Sequence, residues 1–123
     1  MNLVDSSGWL EYLADGQNAD FFATVIEDTE DLIVSTINVY EVFKRVLCQR
    51  GEEAALQCAA LMQQGKVVDV TPSIAISAAK MSHEKKLPMA DSLILVTAQE
   101  SNATLWTQDA DFKGFAQVQY VMK

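Results

Sequence analysis

Short runs rich in β-branched residues alternate along the chain with longer stretches whose apolar residues recur every three or four positions. Asn2–Val4, Leu32–Ser35, Val67–Val70, Thr104–Trp106 and Val118–Val121 make up the first set and predict strands. Between the first two, Ser6 and Ser7 offer a cap for a helix with Trp9, Leu10 and Leu13 on its apolar side, closed by Gly16. Asp20–Ile26 predicts a second amphipathic helix, and the acidic run Glu27–Asp31 after it reads as a solvated turn. Thr36 or Asn38 can cap the next helix, which runs to about Gln49. Gly51 separates it from another over Glu52–Gln64, so the two predict a helical hairpin. Thr71-Pro72 is a cap followed by proline, a start signal for a helix from Ser73 to about Lys85. Pro88 opens the last helix. Its segment Leu93–Ala98 is apolar on nearly every side, which predicts burial all round.

Short apolar strands alternating with helices imply a parallel sheet covered on both faces. The expectation is one α/β domain over residues 1–123, a three-layer α/β/α sandwich around a mostly parallel sheet of about five strands. No internal repeat, low-complexity tract or long linker interrupts it.

Composition narrows the setting. Half the residues are hydrophobic, yet no apolar run approaches the roughly 20 residues needed to cross a bilayer. The opening MNLVDSSGWL lacks the basic flank and cleavage pattern of a secretory signal, which leaves the cytoplasm as the default expectation. Cys48 and Cys58 have no metal-ligand spacing and read as reduced, mostly buried thiols. Seventeen acids against nine Lys and Arg give a formal charge of -8. That balance argues against affinity gained by coating a phosphate backbone with positive charge. It leaves nucleic acid open as a substrate, because a bound divalent ion inverts the local sign. It also suits a basic partner segment.

In an open parallel sheet, ligands bind beyond the carboxyl ends of the strands. Asp5 directly follows the first strand, and Asp109 lies just past Thr104–Trp106. Glu41 stands near the start of the helix leaving the second strand, and Asp91 lies in the first turn of the helix opened by Pro88. All four can meet on one edge. Each also has an ordinary reading: Asp5 as a cap, Asp91 at the positive end of a helix, Glu41 paired with Lys44 and Arg45, Asp109 and Asp111 as turn residues. Clustered carboxylates repel, and a hard ion such as Mg²⁺ or Mn²⁺ relieves that repulsion through oxygen ligands. Such a centre suits phosphodiester hydrolysis. His83 is the single histidine, which argues against paired-imidazole chemistry and reads as a surface residue.

The segments NLVDSSGWLEYL, STINVYEVFKR, PMADSLILVTA and TLWTQDADF resemble, in order and across the whole chain, the PIN-domain nucleases, and among them the VapC-type toxins of toxin–antitoxin pairs. The resemblance implies an Mg²⁺- or Mn²⁺-dependent endoribonuclease whose acidic quartet is Asp5, Glu41, Asp91 and Asp109. Asp111 competes with Asp109 for the fourth place; Asp109 is favoured because Asp111 precedes a phenylalanine expected to turn inward. Ser6 and Thr107 resemble positions that orient a metal water or the scissile phosphate. Lys44, Arg45, Lys85 and Lys86 are the candidate RNA contacts. The implied partners are RNA, an inhibitory antitoxin whose basic segment covers the acids, and a second copy in a homodimer, with no membrane association. Trp9–Tyr12 and Val39–Leu47 offer apolar surface for such a partner, although burial in the domain's own core accounts for most of these residues. Trp9 and Trp106 are expected to be buried rather than stacked on bases.

Other readings compete. A Toprim-like phosphoryl-transfer domain needs a glutamate where this chain has Asp5. A receiver-like cation-binding module needs paired acids after the first strand, and Leu3–Ser6 holds one. A PIN fold that has lost activity and serves as a protein-binding scaffold is compatible with the same residues.

Overall fold

In the computed structural model, which describes residues 1–123, each expected strand is present, the first two with the expected ends and the other three shifted by a residue or two. In chain order the elements are β1 (Asn2–Val4), α1 (Ser6–Leu13), α2 (Ala19–Ile26), β2 (Leu32–Ser35), α3 (Thr36–Arg50), α4 (Glu52–Met62), β3 (Lys66–Val68), α5 (Pro72–Lys85), α6 (Met89–Glu100), β4 (Thr104–Thr107) and β5 (Val118–Tyr120). Single 3₁₀ turns at Thr29–Asp31 and Ala110–Phe112 occupy stretches that the sequence presents as an acidic turn and an acidic exit loop. The sheet order is β3-β2-β1-β4-β5, and all four pairings are parallel.

Alternation along the strands divides the core into two faces. Val4, Leu32 and Val34 join Trp9, Phe22, Val42, Val46 and Met62 on the face covered by α1–α4. Leu3, Ile33 and Leu105 turn the other way and pack on Ile94, Leu95 and Ala98 of α6, with Phe112 closing that side. Ile74 and Ala78 of α5 then cover Val96 on the far side of α6. The uninterrupted apolar run of α6 is thus explained: it is packed between the sheet and α5. Trp9 is fully buried and Trp106 partly so, with its indole N–H donated to Asn2 Oδ1 at 2.9 Å. Of the two thiols, Cys58 is half-buried, but Cys48 is exposed, against expectation, because α3 turns Val42 and Val46 inward instead.

Two local devices set the geometry of the site. A β-carbon on Gly8 would stand 2.6 Å from both Phe22 and Val4, so glycine lets α1 approach β1 and α2 closely. Gly51, at φ +89°, makes the sharp break between α3 and α4, a backbone state that side chains disfavour. Of the caps the sequence offers for α1, Asp5 rather than Ser6 or Ser7 takes the position, accepting from Gly8 N. Ser35, rather than Thr36 or Asn38, caps α3, with Asn38 completing a capping box from the third position.

Candidate metal centre

Asp5 follows β1, the central strand, and is 3% exposed. Its Oδ1 accepts from Gly8 N at 2.9 Å, its Oδ2 from Thr107 Oγ1 at 2.8 Å, and Ser7 Oγ lies 2.9 Å from both oxygens. Thr107 ends β4 and is itself buried, and its hydroxyl accepts from Asp109 N at 2.8 Å. One threonine therefore fixes both the first acid and the backbone that carries the last. Asp109 then caps the 3₁₀ turn by accepting from Asp111 N at 2.9 Å. That turn doubles the chain back, so Asp91, Asp109 and Asp111 can each bring a carboxylate oxygen within 4.8 Å of the others. Asp91 reaches this edge because α6 begins there, after Pro88.

Glu41 comes from α3. It lies in the second turn of that helix, six residues beyond Ser35, is half-buried, and stands outside the mutually close group of Asp91, Asp109 and Asp111. Ser6 Oγ donates to Glu41 Oε1 at 2.6 Å. Ser6 is thus bonded to Glu41 and Ser7 to Asp5, so two adjacent hydroxyls serve two different acids. Lys44 and Arg45 line, with Ser6, Leu10, Tyr40 and Glu41, a cleft of about 570 Å³ between α1 and α3. Lys44 Nζ sits 5.8 Å from the centroid of the Tyr40 ring. Lys85 closes α5 and Lys86 adopts a left-handed conformation just beyond it; both are exposed, on the segment that leads to α6, and neither lines that cleft.

The electrostatics follow from this crowding. Burial, with a further push from Asp109, raises the Asp5 carboxyl to about 6, against the opposing pull of its hydrogen bonds from Gly8, Thr107 and Ser7. Asp91 is raised to about 7, first by burial and then by the negative charges of Asp109, Asp111, Asp5 and Glu41. All five acids therefore act on one locus. Asp109 acts on both Asp5 and Asp91, whereas Asp111, which is exposed, acts on Asp91. The donors are all carboxylate oxygens, with no histidine or thiol among them, and their mutual repulsion is of the kind a hard divalent cation removes. The residues present fit such an ion.

Ser7, a candidate cap by sequence, instead donates to the Asp5 carboxylate, and Gly8 joins the site through its backbone N–H. The spacing Asp5-Ser-Ser-Gly8, an acid three positions ahead of a helical N–H, carries their signal.

The chain belongs to the PIN domain family, whose model matches residues 3–118. Its fold is similar to that of a chain in a toxin–antitoxin complex from Klebsiella pneumoniae, at 21% identity and a TM-score of 0.82, covering 97% of this chain and 96% of that one. It is also similar to VapC20 of Mycobacterium tuberculosis, described as a sarcin-ricin-loop-cleaving toxin, at 18% identity and a TM-score of 0.76, over 97% and 99% of the two chains. A third similar fold is that of VapBC2 from Rickettsia felis, bound to a promoter DNA fragment, at 14% identity and a TM-score of 0.75, over 99% and 98%. No curated protein matches the chain. The PIN resemblance carried by the four sequence segments is therefore borne out at the level of family and fold. No helix is long and apolar enough to cross a membrane.

Proposed function

We propose that this PIN domain is a metal-dependent endoribonuclease, the toxin of a type II toxin–antitoxin pair. The observation that carries the reading is the crowding of acids far apart in sequence around Asp91: Asp109 and Asp111 within 4.8 Å of it, with Asp5 and Glu41 near enough for their charges to act on it. In this reading Asp5 and Asp91 hold the principal Mg²⁺ or Mn²⁺, directly or through water, and Glu41 and Asp109 complete the site. When bound, the ion neutralises the carboxylates and supplies Lewis-acid polarisation of a phosphoryl oxygen.

The chain's own groups do the rest. Gly8 and Thr107 each hold one oxygen of the Asp5 carboxylate, with the Ser7 hydroxyl against both, so its orientation is fixed before any ion binds. Glu41, held at Oε1 by Ser6, keeps Oε2 to orient the attacking water and receive its proton. In-line attack on the phosphate then leaves a 5′-phosphate and a 3′-hydroxyl. Lys44 and Arg45, beside Glu41, guide the RNA backbone along the cleft, and Lys85 and Lys86 meet phosphates on the approach to Asp91.

The partner in this reading is an antitoxin whose apolar residues cover the α1–α3 cleft and whose basic side chain enters the acids. Tyr40, 63% exposed and lining that cleft, and Leu47, 41% exposed on the same helix, provide apolar surface for the antitoxin or for a second copy in a homodimer. The setting is the cytoplasm, where toxin, antitoxin and RNA meet.

The test is cleavage of structured RNA, with Mg²⁺ or Mn²⁺ supplied, by the wild type and by Asp5→Asn, Glu41→Gln and Asp91→Asn. The proposal predicts metal-dependent cutting by the wild type and its loss in each variant. Equal activity across the set would rule out the assignment.

A further inference from the structure

Asn38 lies in the first turn of α3, is 0% exposed, and joins two elements through its amide. Its Oδ1 accepts from Ser35 N at 3.0 Å, and its Nδ2 donates to Ser6 Oγ at 3.1 Å. The first bond decides the second. A backbone N–H needs an acceptor, so the amide oxygen must face Ser35 and the NH₂ must face Ser6. The Ser6 hydroxyl then accepts from Asn38, and its one proton is directed to Glu41 Oε1 at 2.6 Å. Ser6 and Asn38 are 32 residues apart, and Ser6 and Glu41 are 35 apart. The relay Ser35–Asn38–Ser6–Glu41 therefore ties the start of α1 to the second turn of α3.

We infer that Asn38 is a positioning residue that acts through Ser6: it commits the Ser6 hydroxyl to donate to Glu41, and so fixes which Glu41 oxygen is left free for the reaction. The inference rests on the nuclease reading for its catalytic consequence. A capping role alone would end at Ser35. It would need the Asn38 oxygen and make no use of the NH₂, yet the NH₂ is aimed at the hydroxyl that holds an acid of the site. Groups that orient metal-site residues from outside typically change affinity or activity by about 10–100-fold when removed.

Two sets of measurements separate the roles. Asn38→Asp retains the acceptor for Ser35 N–H and removes the donor to Ser6; it is expected to lower kcat for RNA cleavage by about 10–100-fold with KM within about threefold of wild type. Asn38→Ala removes the cap as well, so its Tm falls below that of Asn38→Asp while kcat falls no further. The double variant Ser6→Ala/Asn38→Ala is expected to match the weaker single variant, because both substitutions break one relay. Mn²⁺ binding by titration calorimetry, measured without RNA, is expected to weaken several-fold in both singles with the same lack of additivity. Losses that multiply in the double variant, or an Asn38→Asp protein within about twofold of wild type in kcat and Mn²⁺ affinity, would overturn the inference. A wild type that binds Mn²⁺ and cuts no RNA would overturn the nuclease reading, and the calorimetric cycle would still decide the role of Asn38. A wild type that binds no Mn²⁺ would overturn both.

Discussion

Thr107 donates its hydroxyl to Asp5 Oδ2 over 2.8 Å, joining residues 102 positions apart at the ends of the neighbouring strands β1 and β4. The same threonine oxygen accepts from Asp109 N, so the separation of the first and last acids is set by one buried side chain. Thr107→Val keeps the shape and removes both bonds. It is expected to cost about 1–3 kcal/mol, the usual cost of leaving buried polar groups unpaired. With the loss of a bond that favours its charged form, the Asp5 carboxyl should move further up. Chemical denaturation, together with an NMR titration of the Asp5 carboxyl, checks both statements.

Stability should depend on pH with an unusual sign. Asp5 is raised to about 6 and Asp91 to about 7, from an ordinary value of 3.8. Between the ordinary value and these raised ones, the folded chain therefore binds these protons more tightly than the unfolded chain. Stability from these two groups is full below the unfolded value and is lost as pH rises through the folded values. In chelator, Tm should be higher near pH 5 than near pH 8. Asp91→Asn should flatten that slope, and Mn²⁺ should restore the value at the alkaline end. A Tm that rises steadily across that range in chelator would count against the crowding of acids described above.

Asp109 and Asp111 should separate in activity. Asp109 acts on both Asp5 and Asp91, while Asp111 is exposed and acts on Asp91 alone of the two. Asp109→Asn is expected to reduce RNA cleavage by about 100-fold or more, and Asp111→Asn by less than about tenfold, following the usual range for groups at a metal site. Rates measured at one saturating Mn²⁺ concentration decide the order.

Gly8 should tolerate no side chain. The approaches of 2.6 Å that a β-carbon would make involve Phe22 and Val4, both fully buried, so neither can move aside freely. Gly8→Ala should cost about 1–3 kcal/mol through overpacking. Because Gly8 N also binds Asp5, Mn²⁺ affinity should fall with stability. Urea unfolding and calorimetry measure the two.

Lys44 and Arg45 line the cleft that contains Glu41. Substituting both with glutamate should weaken RNA binding and make the dependence of log K on log salt shallower, by roughly one for each phosphate no longer neutralised. Filter binding of RNA by an inactive Asp91→Asn background at several salt concentrations measures it. An unchanged slope would leave these cations as ordinary solvated residues.

Much of this architecture was legible in the sequence for physical reasons. Runs such as Leu32–Ser35, short and β-branched, favour buried strands, and an α6 apolar on nearly every side favours a place between layers. Strand and helix polarity alone then sends Asp5, Asp91 and Asp109 to one edge. What the pattern could not supply was side-chain pairing. Asp5, Ser6 and Ser7 are all good caps, and the point where β1 ends decides among them. Glu41 lies in α3 six residues beyond Ser35, as expected, but that Ser6 meets it there is a contact between two elements that no spacing reveals. The Asp109–Asp111 alternation looked like an extended loop until the 3₁₀ turn drew both carboxylates beside Asp91. The expectation that Phe112 turns inward holds, since it is fully buried. The Asn38 relay is three-dimensional throughout, and a single chain read in order gives no sign of it.

The central claim is that these acids share one divalent cation. The most direct measurement is anomalous diffraction from crystals soaked in Mn²⁺. The account predicts a peak among Asp5, Asp91 and Asp109, in contact with at least the Asp91 carboxylate, and its disappearance in Asp91→Asn. A fully soaked crystal with no peak at this edge, or with manganese bound only elsewhere on the surface, would contradict it.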